Sequence, residues 1–152
     1  MATVVTGARR RALRDGDRQI DTAHLLHSVV ETDPAVRTAI GGGPRASRVL
    51  GYLVQRSIGY GLRWQGSVEQ TGAVPAGPAV AGWSPAAVAA MEGALERARA
   101  RAEERATALD LLAAVVRDGR CRAVEVLDRA GVDREALGTR LEEGASQQVY
   151  QG

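Results

Sequence analysis

Phenylalanine is missing from the chain, and aromatic residues as a group make up only 3% of its 152 residues. A core must therefore be assembled from Leu, Val, Ile, Ala and Met. Ala and Leu are strong helix formers, so the shortage of aromatics leans the chain toward helices. Lysine is missing too; all 20 positive charges are Arg. Without it a G-x-x-x-x-G-K-[ST] phosphate loop cannot be completed, which excludes a P-loop nucleotide hydrolase. One cysteine, Cys121, cannot form an intrachain disulfide and fits a reducing compartment. No apolar run reaches the roughly 18 residues of a membrane-spanning helix. Met1 to Arg11 places basic residues after a short apolar patch, the wrong order for a secretory signal, so the expected location is cytoplasmic. A net charge of +2 is too small to call for a nucleic-acid or membrane partner.

What is present is helical punctuation. Hydrophobic residues reach 45%, enough for one domain spanning 1–152. Ser84-Pro85 places an N-cap before a proline at the first helical position. Val88, Met91, Leu95, Ala98 and Ala102 follow at three-and-four spacing and predict one apolar face. Thr107 and Asp110 form a capping-box pattern opening a helix from Ala108 to about Arg117, with Leu109, Leu112, Val115 and Val116 apolar. A third helix is expected from about Cys121 to Ala130, stopped by Gly131-Val132 in a Schellman pattern. Asp133 starts a fourth, with Leu137 and Leu141 inward and a frayed polar tail over 144–152.

The first half follows the same plan. A helix is expected over roughly Thr3 to Asp15, with Val5, Ala8 and Ala12 on one side. Asp21 or Thr22 caps a second, carrying Leu25, Leu26, Val29 and Val30. Asp33-Pro34 starts a short third, which Gly41-Gly42-Gly43-Pro44 ends. A fourth runs from about Pro44 to Ser57, with Val49, Leu50, Leu53, Val54 and Ile58 apolar. Residues 59–83 are Gly-rich, contain Pro75 and Pro78, and show no sustained period; they read as a long connecting loop with a brief extended piece near Leu62 to Val68. Displaced by 86 residues, Ala8, Arg11, Ala12, Leu25, Leu26, Val29 and Val30 fall without a gap on Ala94, Arg97, Ala98, Leu111, Leu112, Val115 and Val116. The expected architecture is an all-α, pseudo-twofold bundle of about eight helices, with repeat one at about 3–58 and repeat two at 84–143.

No catalytic constellation stands out, and the chain reads as a non-enzyme. His24 and His27, at i and i+3, would share a helix face, but no further Cys or His completes a zinc set, so a local hydrogen bond is the expectation for His24 and no metal is expected. Cys121 at a helix start is expected to be a packed thiol. Ser28 and Ser47 lack a G-x-S-x-G context. Arg9, Arg10, Arg11, Arg14 and Arg18 make one basic stripe; Arg97, Arg99, Arg101 and Arg105 make another. With no interleaved aromatics they read first as solvated helix faces, and second as a nucleic-acid or regulatory surface. Trp83 reads equally as a staple of the loop onto the helix and as an anchor in a peptide groove. Trp64 reads as a second anchor or a core cover.

Gly16 to Leu26, G-D-R-Q-I-D-T-A-H-L-L, resembles the G-H-x-x-I-G-T-E-H-L-L segment of the Clp N-terminal domain repeat. Arg117-Asp118-Gly119 followed by Ala123 to Asp133 resembles its R-E-G…A-x-x-V-L-x-x-L-G-V-D. Gly82-Trp83-Ser84-Pro85 resembles the P-F-T-P that opens the second repeat. The similarity covers about residues 8 to 143 and is nearest the ClpC-like subtype. It implies a module without cofactor that docks substrates, adaptors, arginine-phosphorylated proteins and cyclic peptide antibiotics, with Clp protease components as partners.

The departures from the pattern sharpen that expectation. The ClpC-like glutamates that hold phosphoarginine are Ala23 and Leu109 here, and an apolar side chain offers a guanidinium neither charge nor paired acceptors. The start of the first repeat is expected to be truncated. The expectation is a stand-alone copy without an ATPase module, acting as an adaptor, decoy or sink. The expected ligand is an apolar linear or cyclic peptide lying between Trp83, Ser84, Pro85 and Val88 on one side and Val4, Val5, Ala8 and Arg11 on the other.

Overall fold

The computed structural model of the chain describes residues 1–17, 19–57, 69 and 82–151, and for 56, 57 and 145–151 the backbone alone. These residues form eight α-helices and no β-strand. The helices are α1 Ala2–Asp15, α2 Thr22–Thr32, α3 Pro34–Ala39, α4 Gly43–Ser57, α5 Pro85–Ala100, α6 Ala108–Arg117, α7 Arg122–Arg129 and α8 Arg134–Gln151. The chain is all-α, as expected. Most of the connecting stretch, with Trp64 and the extended piece near Leu62 to Val68, lies outside the described residues, as do Arg18 and Ile58. No helix among the described residues is long and apolar enough to cross a membrane.

The punctuation works as written in the sequence. Asp21 and Thr107 cap α2 and α6, each in a reciprocal box with the residue three positions on, His24 and Asp110. Asp33 and Ser84 cap α3 and α5, each followed by proline. At the end of α7 the Gly131 N–H reaches the Asp128 carbonyl and the Val132 N–H reaches the Leu127 carbonyl, both at 3.0 Å. That is the Schellman pattern, with Gly131 at φ 81. The only short pairing of extended backbone among the described residues joins Ile20 to Trp83. It sets the start of α5 beside the start of α2.

Close helix approach is built on small residues. A Cβ on Gly7 would stand 2.5 Å from Ser28 Oγ, and one on Gly93 would stand 3.1 Å from the Ala114 Cβ. Thus α1 lies tight on α2 and α5 lies tight on α6. The third helix of each half packs across: α7 contacts α2 and α4, and α3 contacts α6 and α8. Leu25, Leu26, Val36, Ile40, Leu53, Leu111, Leu112, Leu127 and Leu137 fill the shared core, each worth about 1.5–3 kcal/mol of burial.

The burial pattern within two helices differs from the apolar pattern of the sequence. The buried face of α5 is Ala86, Ala87, Ala90, Ala94 and Ala98; Val88, Met91 and Leu95 are only half-buried, and Ala102 is exposed beyond the helix end. Close packing on α6 selects the alanine row over the bulkier neighbouring row. The α8 backbone continues through Gly144 to Gln151. No proline stops it, and Gly144 costs only about 1 kcal/mol relative to alanine. In α4 the buried positions are Ala46, Val49 and Leu53, while Val54 is 47% exposed.

Candidate functional site

A contact between Arg9 of α1 and Trp83, just before α5, brings the two walls expected for a peptide groove together at a seam. The Arg9 guanidinium lies over the Trp83 ring, 5.9 Å from its centroid, within cation–π range. The structure buries half of the expected set. Trp83 is 6% exposed, Val4 is 4% exposed, and Ser84 and Ala8 are fully covered. Val5, Arg11, Pro85 and Val88 remain partly accessible. Trp83 is thus a covered residue met by Arg9, and the accessible members of the expected set are Val5, Arg11, Pro85 and Val88. Arg11 is also paired with Glu31 of α2.

Ser84 also belongs to a buried polar junction that no motif of the sequence marks. Its centre is Glu69, 4% exposed. Oε1 accepts the Thr22 N–H at 2.9 Å and the Ser84 hydroxyl at 2.7 Å. Oε2 accepts the Thr22 hydroxyl at 2.5 Å and the Arg122 N–H at 2.8 Å. The Glu69 N–H donates to Gln19 Oε1 at 3.0 Å. Alongside, the Arg122 guanidinium donates to Asp21 Oδ2 at 2.8 Å across the two halves, with both groups buried. A usable signal was present: Glu69 is the only acidic residue between Asp33 and Glu92.

The two helix-opening corners carry the remaining titratable groups. His24 Nδ1 is 3.0 Å from the Asp21 N–H, and Nε2 is 2.7 Å from Asp17 Oδ2. An acceptor Nδ1 leaves the ring proton on Nε2, where it donates to Asp17. Asp15, Asp17 and His24 bring candidate ligand atoms within 4.8 Å of one another. With Nε2 protonated, the imidazole offers that cluster no lone pair, so the trio reads as a hydrogen-bonded corner. His27 is pushed down to about 4, first by burial and then by the nearby Arg11 charge. At the second corner burial pushes the Asp110 carboxyl up. Hydrogen bonds from the Arg101 guanidinium, at 2.6 and 2.7 Å, and from the Thr107 backbone outweigh it, and the net shift is down.

Cys121 is 1% exposed, and burial pushes its thiol up to about 12. Its place at the start of α7 would favour a thiolate, but desolvation wins, so this thiol is unsuited to nucleophilic work at neutral pH. The basic stripes are partly self-neutralised: Arg97 pairs with Glu142, and Arg101 pairs with Asp110 and Glu103. An open groove of about 1200 Å³ runs between α6, α7 and α8, with Val116, Asp128, Glu135, Gly138 and Glu142 in its lining. Arg134 in its wall is turned to the Val116 carbonyl at 2.6 Å, and its charges of both signs converge on no single point. Compared with known families and curated proteins, the chain matches no family model and no curated relative.

Proposed function

We propose that the chain is a non-catalytic peptide-binding module of the Clp N-domain type, built from two diverged copies of one four-helix repeat. The observation that carries the duplication is a pair of contacts in one register. Gly7 against Ser28 and Gly93 against Ala114 are close approaches whose residues lie 86 positions apart on both sides, which supports one helix crossing used twice. The capping boxes at Asp21 and Thr107 keep that register, as do the left-handed residues Gly16 and Ala102 that end α1 and α5. The resemblance of Gly16 to Leu26 to the Clp repeat supplies the type.

The ligand face in this reading is the α1–α5 seam, where Val5, Pro85 and Val88 are partly exposed and Trp83 is covered. An apolar linear or cyclic peptide suits it, whether presented by a Clp substrate or adaptor or as a Clp-directed cyclic antibiotic. Phosphoarginine does not suit it, because Ala23 is buried and Leu109 is apolar at the two positions that would hold the guanidinium. As a decoy or sink the module acts only where its concentration exceeds its dissociation constant. The ion pairs within the Arg stripes make nucleic-acid binding the weaker reading; it would show as a steep loss of affinity with salt.

The test is calorimetric titration with an apolar cyclic peptide of the class that targets Clp N-domains, and separately with free phosphoarginine. The peptide is expected to bind and phosphoarginine to give no heat at millimolar concentration. Val88→Glu, at a half-exposed position, is expected to weaken the peptide about tenfold or more with the circular dichroism spectrum unchanged. Unchanged affinity would move the site elsewhere, and tight phosphoarginine binding would overturn the reading of Ala23 and Leu109.

A further inference from the structure

The Glu69 junction is organised to recognise a carboxylate, independently of the peptide seam. The Ser84 hydroxyl oxygen already accepts the Ala87 N–H at 3.0 Å, and the Thr22 hydroxyl oxygen accepts the Ala123 N–H at 3.0 Å. Each hydroxyl proton is thereby turned toward Glu69. Together with the N–H groups of Thr22 and Arg122 they make four donors, two on each carboxylate oxygen. Three helix starts contribute, α2, α5 and α7, and each favours negative charge. Ser84 and Thr22 are at most 1% exposed with Glu69 in place, so a departing carboxylate leaves four donors that need a replacement acceptor. Gln19 reads the backbone N–H of the same residue, so side chain and main chain of one glutamate are recognised together.

We propose that the junction of α2, α5 and α7 is a binding site for the glutamate side chain of a peptide, and that Glu69 is its tethered resident. A phosphate fits this donor set poorly. Its third oxygen and extra charge would find no further donor in the set, and the neighbouring guanidinium is already engaged by Asp21. In the wild-type chain the tether gives Glu69 a high effective concentration, so a free glutamate competes weakly.

Removing the resident tests the site. The Glu69→Ala variant is melted in chloride, then at matched ionic strength with N-acetylglutamate α-amide, with its glutamine analogue, or with inorganic phosphate. The glutamate probe is expected to raise the variant's Tm by several degrees, saturably, while shifting the wild type by much less. The glutamine analogue and phosphate are expected to shift both proteins equally. Where Glu69→Ala is unfolded in chloride, it is refolded in trimethylamine N-oxide, which favours the compact state without offering a carboxylate, and titrated there. A glutamate probe that moves the variant no more than the wild type, or no more than the glutamine analogue does, would overturn the proposal.

Discussion

The starts of α2 and α6 stand 86 residues apart and use the same reciprocal box, yet with opposite chemistry at its third position. In the first half that position is His24, clasped between Asp21 and Asp17. In the second it is Asp110, clasped by Arg101 and the Thr107 backbone. The backbone demand is identical, because every helix start leaves N–H groups without partners. The side chains that meet it are interchangeable provided the neighbour supplies the complementary charge. A second difference is larger. The first corner adjoins Glu69 and Arg122 and is tied to the other half, whereas Asp110 is paired with Arg101 and Arg97 from its own half.

The strongest way to break this comparison is to cut the tie. Arg122→Ala removes the guanidinium from buried Asp21 and is expected to cost about 3–5 kcal/mol, lowering Tm by roughly 10 °C. Arg97→Ala at the other corner takes away a guanidinium only 3.6 Å from Asp110 while Arg101 stays in place, and is expected to cost far less. Thermal melts of the two variants decide it, and equal losses would show that the two corners bear equal load.

A pH titration of stability sharpens the same contrast. His27 is held near 4 in the fold against 6.5 in the unfolded chain, so the unfolded state takes up the proton first. Stability is expected to fall as pH drops from about 6.5 to about 4. His27→Gln should flatten that window. The register-equivalent Ala113 has nothing to titrate, so the second half adds no such slope there. Asp110, depressed in the fold, adds its own loss only at lower pH, as its carboxylate protonates. Unfolding free energies by urea at several pH values are the measurement, and a slope that survives His27→Gln would place its origin elsewhere.

The smallest effect compares the two helix ends. Gly16 and Ala102 occupy the same left-handed C′ position at φ 67 and φ 59. An alanine there is strained by about 1–2 kcal/mol, part of which glycine gives back as backbone entropy. Ala102→Gly is expected to stabilise by about 0.5 kcal/mol, and Gly16→Ala to destabilise by about 1 kcal/mol. Denaturant midpoints check both, and shifts of the same sign in the two variants would show that the two ends are not equivalent.

Much of the fold was legible because caps are local. Ser84-Pro85, Asp33-Pro34, Thr107 with Asp110, and Gly131-Val132 each act within a few residues, so short stretches of sequence determine them. The buried row of α5 was harder to read, because hydrophobicity ranks Val88 and Met91 above alanine, whereas a tight crossing selects the smallest side chains. Of the candidate site, the sequence marked Trp83 and its neighbours but not their burial, which goes with the long-range backbone pairing of Trp83 to Ile20. Glu69 escaped notice because its partners, Thr22, Ser84 and Arg122, are scattered along the chain, and no period or spacing announces such a convergence.

The claim at the centre is that the α1–α5 seam, and not the open groove of α6 to α8, is the surface that binds. Amide chemical-shift mapping during titration with the apolar cyclic peptide addresses it directly. Val5, Arg9 and Val88 are expected to move together and saturate with one affinity, while Val116, Gly138 and Glu142 stay in place. Saturating shifts confined to Val116, Gly138 and Glu142, with the seam unmoved, would contradict it.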